Sequence, residues 1–80
     1  MNLVEIKKEL HEILQQSCPG VDFENETSLV DDEIIDSMDV VTIVSEIAGT
    51  FDIELSVEDI IPENFNSFEG MIKLVSQRLN

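Results

Sequence analysis

The residues with the most chemistry open to them are Asp36-Ser37-Met38-Asp39. Asp36 is a good helix N-cap residue, and Asp39 falls three residues on, in the first turn, where negative charge is favoured. Ser37 thus opens a helix at the end of a long loop, where another protein can reach its hydroxyl. A phosphodiester placed there would sit near the positive end of the helix dipole and beside free backbone N–H groups. A serine that merely caps or fills the first turn would look the same, so spacing alone leaves both readings open. Plotted at about 100° per residue, Met38 lies roughly opposite the apolar stripe Val40, Ile43, Val44, Ile47 and Phe51, and Val41 lies to one side of it, beside Thr42 and Ser45. Methionine suits an adaptable binding surface, although single exposed apolar residues are ordinary.

Other chemistry is poorly served. The chain has one histidine, His11, and one cysteine, Cys18. That argues against a Ser–His–Asp or Cys–His centre, CxxC metal or redox motifs, and an internal disulfide. No glycine-rich phosphate loop is present. Asp31-Asp32-Glu33 lacks the spaced ligands, central glycine and final glutamate of a calcium loop and reads as a solvated acidic loop. No catalytic residue and no metal ligand is assigned, and the expectation is a protein that is not an enzyme.

The elements that must position Ser37 follow from periodicity. Leu3, Ile6, Leu10, Ile13 and Leu14, with Val4 beside them, make one face of a helix over residues 3–17, stopped by Cys18-Pro19-Gly20. Residues 18–36 show no helical period and are expected to form an ordered loop covering the core, anchored at its end by Ile34 and Ile35. A second helix spans 37–50, with Gly49 near its C-cap. Phe51-Asp52-Ile53-Glu54-Leu55 alternates like a strand but has no partner, and is expected to be an extended linker. Ser56 caps a short turn over 56–61 that Pro62 ends, and residues 63–66 are read as loop. Ser67 caps a last helix with the stripe Phe68, Ile72, Val75 and Leu79, and Lys73 and Arg78 suit its C-terminal half. The expected fold is all-α, a small four-helix bundle of three longer helices and one short one, with residues 1–80 a single domain.

Composition limits the partners. Against 18 Asp and Glu stand 4 Lys and Arg, for a net charge of −14. A phosphate backbone is bound by basic surface, so nucleic acid is excluded, and docking on an anionic membrane is disfavoured. Leu, Ile, Val and Phe are 29 of the 80 residues, well above the ~20% typical of charged disordered chains, so a core can form. No apolar run approaches the ~20 residues needed to span a bilayer. The N-terminus reads as a folded element and not as a signal peptide, and a cytoplasmic location is expected.

With these residues in view, the chain resembles the acyl carrier and peptidyl carrier proteins, small acidic bundles modified by 4′-phosphopantetheine on a serine. Their Asp-Ser-Leu motif at the start of the second helix is similar to Asp36-Ser37-Met38, and the segment after that helix is similar to Phe51-Asp52-Ile53-Glu54-Leu55. The resemblance covers most of the chain. It implies Ser37 as the attachment site and Asp36 as a recognition residue for the transferase that installs the arm. It implies contact with partner enzymes through Met38, in place of the usual Leu, and Val41. Carriers of fatty-acid synthesis typically have Gly-x-Asp-Ser-Leu and an acidic second helix. Here Ile34-Ile35-Asp36-Ser37 lacks that glycine. The helix positions read as exposed are Thr42, Ser45, Ala48 and Gly49, with only Asp39 and Glu46 acidic after Ser37. A more apolar partner surface is expected, centred on Met38, Val41 and Ala48, with Asp39, Thr42 and Ser45 around it. Glu33-Ile34-Ile35-Asp36-Ser37 is similar to the Gly-Leu-Leu-Asp-Ser of D-alanyl carrier proteins and to peptidyl carriers, which are loaded by ATP-dependent adenylating ligases.

The resemblance implies a stand-alone, monomeric carrier of acyl or aminoacyl groups held as thioesters on the arm. A phosphopantetheinyl transferase would load coenzyme A's arm onto Ser37. An adenylating ligase, or an acyltransferase or synthase, would then use it. The alternative is a small acidic helical adaptor that binds a basic protein through its second helix, with Ser37 not phosphopantetheinylated. A cation-binding role for the many carboxylates is a further reading, separable by titration.

Overall fold

The computed structural model describes residues 2–79. The chain folds as α1 (Leu3–Ser17), α2 (Ser37–Phe51), a 3-10 turn (Val57–Asp59), α3 (Pro62–Phe65) and α4 (Phe68–Leu79), with no strand among the described residues. α1 packs on both α2 and α4, and α3 packs on α4. This is the small four-helix bundle expected from the apolar stripes.

The stripes meet in one core. Ile6, Leu10, Ile13 and Leu14 of α1 pack with Val40, Ile43, Ile47 and Phe51 of α2 and with Met71, Ile72, Leu74 and Val75 of α4. Leu3, expected on that face, and Val4 beside it are both exposed, so the buried face of α1 begins at Ile6. Asn2 caps this helix, its side chain accepting the Glu5 N–H at 2.9 Å.

The 18–36 segment is ordered, as expected, and it supplies Phe23, Leu29 and Ile35 to the core. Ile34, expected as a second anchor, points outward: the Ile34 and Ile35 N–H groups both donate to the Leu29 carbonyl, and only Ile35 turns in. Gly20 turns the chain out of α1 at φ +90°, a conformation that suits glycine. Asn66 staples the loop from the far side. Its Oδ1 accepts the Val30 and Asp31 N–H groups at 2.9 and 3.0 Å, its Nδ2 donates to Asp31 at 3.0 Å, and its carbonyl accepts the Leu29 N–H.

Three boundaries differ from expectation. α2 continues to Phe51, whose ring is buried, so the linker begins one residue later. Its C-cap is Asp52 in the left-handed region, and not a glycine near Gly49. Pro62 starts α3 instead of closing the turn before it, and residues 62–65 are helical. Proline is compatible with the first turn of a helix because its missing N–H would have no intrahelical partner there. Ser67 caps α4 as expected, its Oγ accepting the Gly70 N–H at 3.0 Å.

Candidate functional site

Ser37 is the first residue of α2, and its side chain is exposed. Its neighbours do the capping. Asp36 Oδ1 accepts the Asp39 N–H at 2.9 Å, and Asp39 Oδ2 accepts the Asp36 N–H at 3.1 Å. This reciprocal box settles the helix start without the serine hydroxyl. The Ser37 and Met38 N–H groups come before the first intrahelical bond, that of Val40 N–H to the Asp36 carbonyl, and so remain available to an anion placed beside Ser37 Oγ.

An open cleft of about 780 Å³ runs beside the serine. Ser37 and Val41 form one wall, Ile35 and Phe65 contribute to the lining, and Ile60 and Ile61 stand across from α2. The Ile60-Ile61-Pro62 wall was missed in the sequence because those residues read as the tail of a turn. Their pairing with Ser37 exists only once α3 is packed.

Cys18, the C-cap residue of α1, is buried close to the capping box. Burial pushes its thiol pKa up, and the Asp39 and Asp36 carboxylates add to that rise. Cys18 is thereby kept a protonated, unreactive thiol in the neighbourhood of the serine.

The remaining expected site residues divide by exposure. Met38 is 72% exposed and Val41 is 59% exposed, so α2 presents both beside Ser37. Thr42 and Ser45 are exposed too, and Thr42 Oγ1 donates to the Met38 carbonyl at 3.1 Å. Asp39 is half-buried, its carboxylate engaged in the cap. Ala48 was read as exposed but is half-buried. It lies eleven residues, about 16 Å, along the helix from Ser37, and its carbonyl accepts the Asp52 and Ile53 N–H groups. No group of three or more His, Cys, Asp or Glu side chains among the described residues is placed to hold a metal ion. No described helix is long and apolar enough to cross a membrane.

The model of the family described as "Phosphopantetheine attachment site" matches residues 4–75. The chain belongs to this family. No curated protein and no solved structure gives a significant match. A phosphopantetheine attachment domain is a carrier and not a catalyst, and members of the family bear a covalently attached 4′-phosphopantetheine. Phosphopantetheinyl transferases and acyl-handling enzymes are the partners that membership implies. The residues present fit the group. An exposed hydroxyl released from capping, two backbone N–H groups at a helix start and an open cleft alongside are what a phosphodiester-linked arm needs.

Proposed function

We propose that Ser37 carries the arm, and that the chain is a stand-alone, monomeric carrier that passes acyl or aminoacyl groups between partner enzymes. The observation that carries this reading is the division of labour at the start of α2. Asp36 and Asp39 cap the helix, and the Ser37 hydroxyl between them is left exposed.

Ser37 Oγ displaces the nucleotide from the phosphorus that bears the pantetheine in coenzyme A. The Oγ–P bond forms, the bond to the departing nucleotide phosphate breaks, and the hydroxyl proton goes to a base on the transferase. The Ser37 and Met38 N–H groups, free of intrahelical bonds, would offset part of the charge of a phosphodiester held at Ser37. Asp36 serves transferase recognition as well as the cap. When attached, the group supplies a terminal thiol that holds acyl or aminoacyl cargo as thioesters. Met38, Asp39, Val41, Thr42 and Ser45 form the surface on which partners dock, with Ala48 at its far end. The mostly uncharged character of that surface, and the run Ile34-Ile35-Asp36-Ser37, favour an adenylating ligase of the D-alanyl type as the loading partner.

The test is intact mass after incubation with coenzyme A and a broad-specificity phosphopantetheinyl transferase, beside Ser37→Ala. A gain of one phosphopantetheinyl group in the wild type alone is expected. A folded wild type that gains nothing from an active transferase would refute the carrier reading and favour the acidic adaptor.

A further inference from the structure

Between Phe51 and Phe65, over residues 52–64, one side chain is buried, and it is charged: Asp59. None of the apolar residues of this stretch is fully buried. Val57 is 85% exposed, Ile60 and Ile61 are 38% exposed, and Ile53 and Leu55 are half-buried. Ile53 and Leu55 pack against the core, but no apolar side chain of the 3-10 turn or of Ile60-Ile61 is fully buried. Yet the segment forms the wall of the Ser37 cleft that faces α2.

The tie is polar. Asp59 Oδ2 accepts from Arg78 Nε at 3.0 Å, and Oδ1 accepts from Arg78 Nη2, so the guanidinium in the last turn of α4 forks onto the carboxylate. Such paired, charge-assisted bonds are the strong kind, and they fix direction as well as distance. Asp59 Oδ2 also accepts the Ser56 N–H at 3.0 Å and the Ser56 hydroxyl at 3.2 Å, and the Asp59 carbonyl accepts from Asn64 Nδ2 at 2.8 Å. One residue thus links α4, the start of the 3-10 turn and α3. Ile60 and Ile61 follow it directly in the chain.

We propose that Asp59 and Arg78 are a positioning pair that fixes the Ile60-Ile61-Pro62 wall of the Ser37 cleft for the enzymes that act at the serine. This rests on the carrier reading for its use, and on the geometry alone for its existence. Neither residue touches the reacting atoms. The pair acts through the wall it holds.

The experiment compares wild type, Arg78→Gln, Arg78→Lys and Asp59→Asn by amide hydrogen exchange and by transferase kinetics. Arg78→Gln is expected to speed exchange at the bonded amides of Asp59, Ile60 and Asn64 by about tenfold, with amides of Leu10 and Ile43 unchanged. Arg78→Lys, which keeps the charge and loses the fork, falls between. Asp59→Asn gives the same local pattern and guards against a misfolded first variant. With coenzyme A and a broad-specificity transferase, KM for the Arg78→Gln protein rises about fivefold while kcat stays within about twofold. Unchanged exchange at residues 57–64, or an equal rise throughout α1 and α2, would overturn the pair's positioning role. Local loosening with unchanged KM would overturn its link to Ser37. If the wild type takes up no phosphopantetheine, the carrier reading fails, and the exchange comparison still decides whether the pair holds the wall.

Discussion

Asp36 and Asp39 hold each other's backbone N–H, at 2.9 and 3.1 Å, and Ser37 stands between them with its hydroxyl outside the cap. The relationship separates two duties that adjacent residues at a helix start usually compete for. One pair of carboxylates ends the loop and begins α2, and the serine side chain is left exposed.

The capping role of Asp36 can be separated by substitution from the proposed role in transferase recognition. Asparagine is as good an N-cap as aspartate but carries no charge. Asp36→Asn is expected to unfold in urea within about 0.5 kcal/mol of wild type, whereas Asp36→Ala loses about 1 kcal/mol. If the charge also serves recognition by the transferase, both variants are modified more slowly, and to a similar extent. Slow modification of the alanine variant alone would assign Asp36 to the cap only.

The lone cysteine gives a clean count of thiols. Cys18 is buried, and its thiol pKa is raised by that burial and by the carboxylates of Asp39 and Asp36. Before modification, the folded protein is expected to react with an aromatic disulfide reagent far more slowly than a free thiol does. After modification, one equivalent reacts at once, at the arm, and a second only on unfolding. Rapid reaction of the unmodified protein would show that Cys18 is open to solvent.

The legible part of the molecule was the part governed by local rules. The helices over 3–17 and 68–79 follow from apolar spacing, and the start of α2 follows from Asp36 and Asp39. The second wall of the cleft was not legible. Pro62 can end one element or begin the next, and only the packing of α3 on α4 decides which. Asp59 and Arg78 are nineteen residues apart, one in a short turn and one in the C-terminal half of the last helix, and their pairing is tertiary. Asn66 looked like loop filler, yet its amide bonds residues thirty-five and thirty-six positions away.

Asp59 gives the acid response a defined sign. The Arg78 guanidinium, and then the Ser56 N–H, hold its carboxyl below the ordinary 3.8. The ionised form is favoured by folding, so the stability it contributes is present above about pH 4 and is lost as pH falls through the depressed folded value. Asp59→Asn removes that contribution at every pH. The gap in melting temperature between wild type and Asp59→Asn is therefore expected to be constant from about pH 7 to about pH 5 and to close as pH falls below about 4. A gap that stays open at the acid limit would count against the ion pair as its source.

Salt will act in different ways on folding and on docking. With a net charge of −14, the fold works against repulsion among its own carboxylates, and only four Lys and Arg are present to offset it. Screening by salt or magnesium is expected to raise the melting temperature, because the Debye length falls from about 30 Å at 0.01 M to about 10 Å at 0.1 M. Docking on the face of α2 beyond Ser37 has less charge to screen. Met38, Val41, Thr42 and Ser45 are exposed and uncharged, and the carboxylates nearby are those of Glu33, Asp36 and Asp39 around the serine. KM for the carrier with its loading enzyme is accordingly expected to stay within about twofold between about 0.05 and 0.5 M salt, since weakly charged contacts give little electrostatic steering. Met38→Ala removes the largest exposed apolar side chain beside the serine and is expected to raise KM roughly tenfold, or about 1.4 kcal/mol, with the melting temperature unchanged because Met38 is 72% exposed. A KM that climbs steeply with salt and ignores Met38→Ala would mean that partners dock on charge, and that the apolar rim of α2 is not the surface they use.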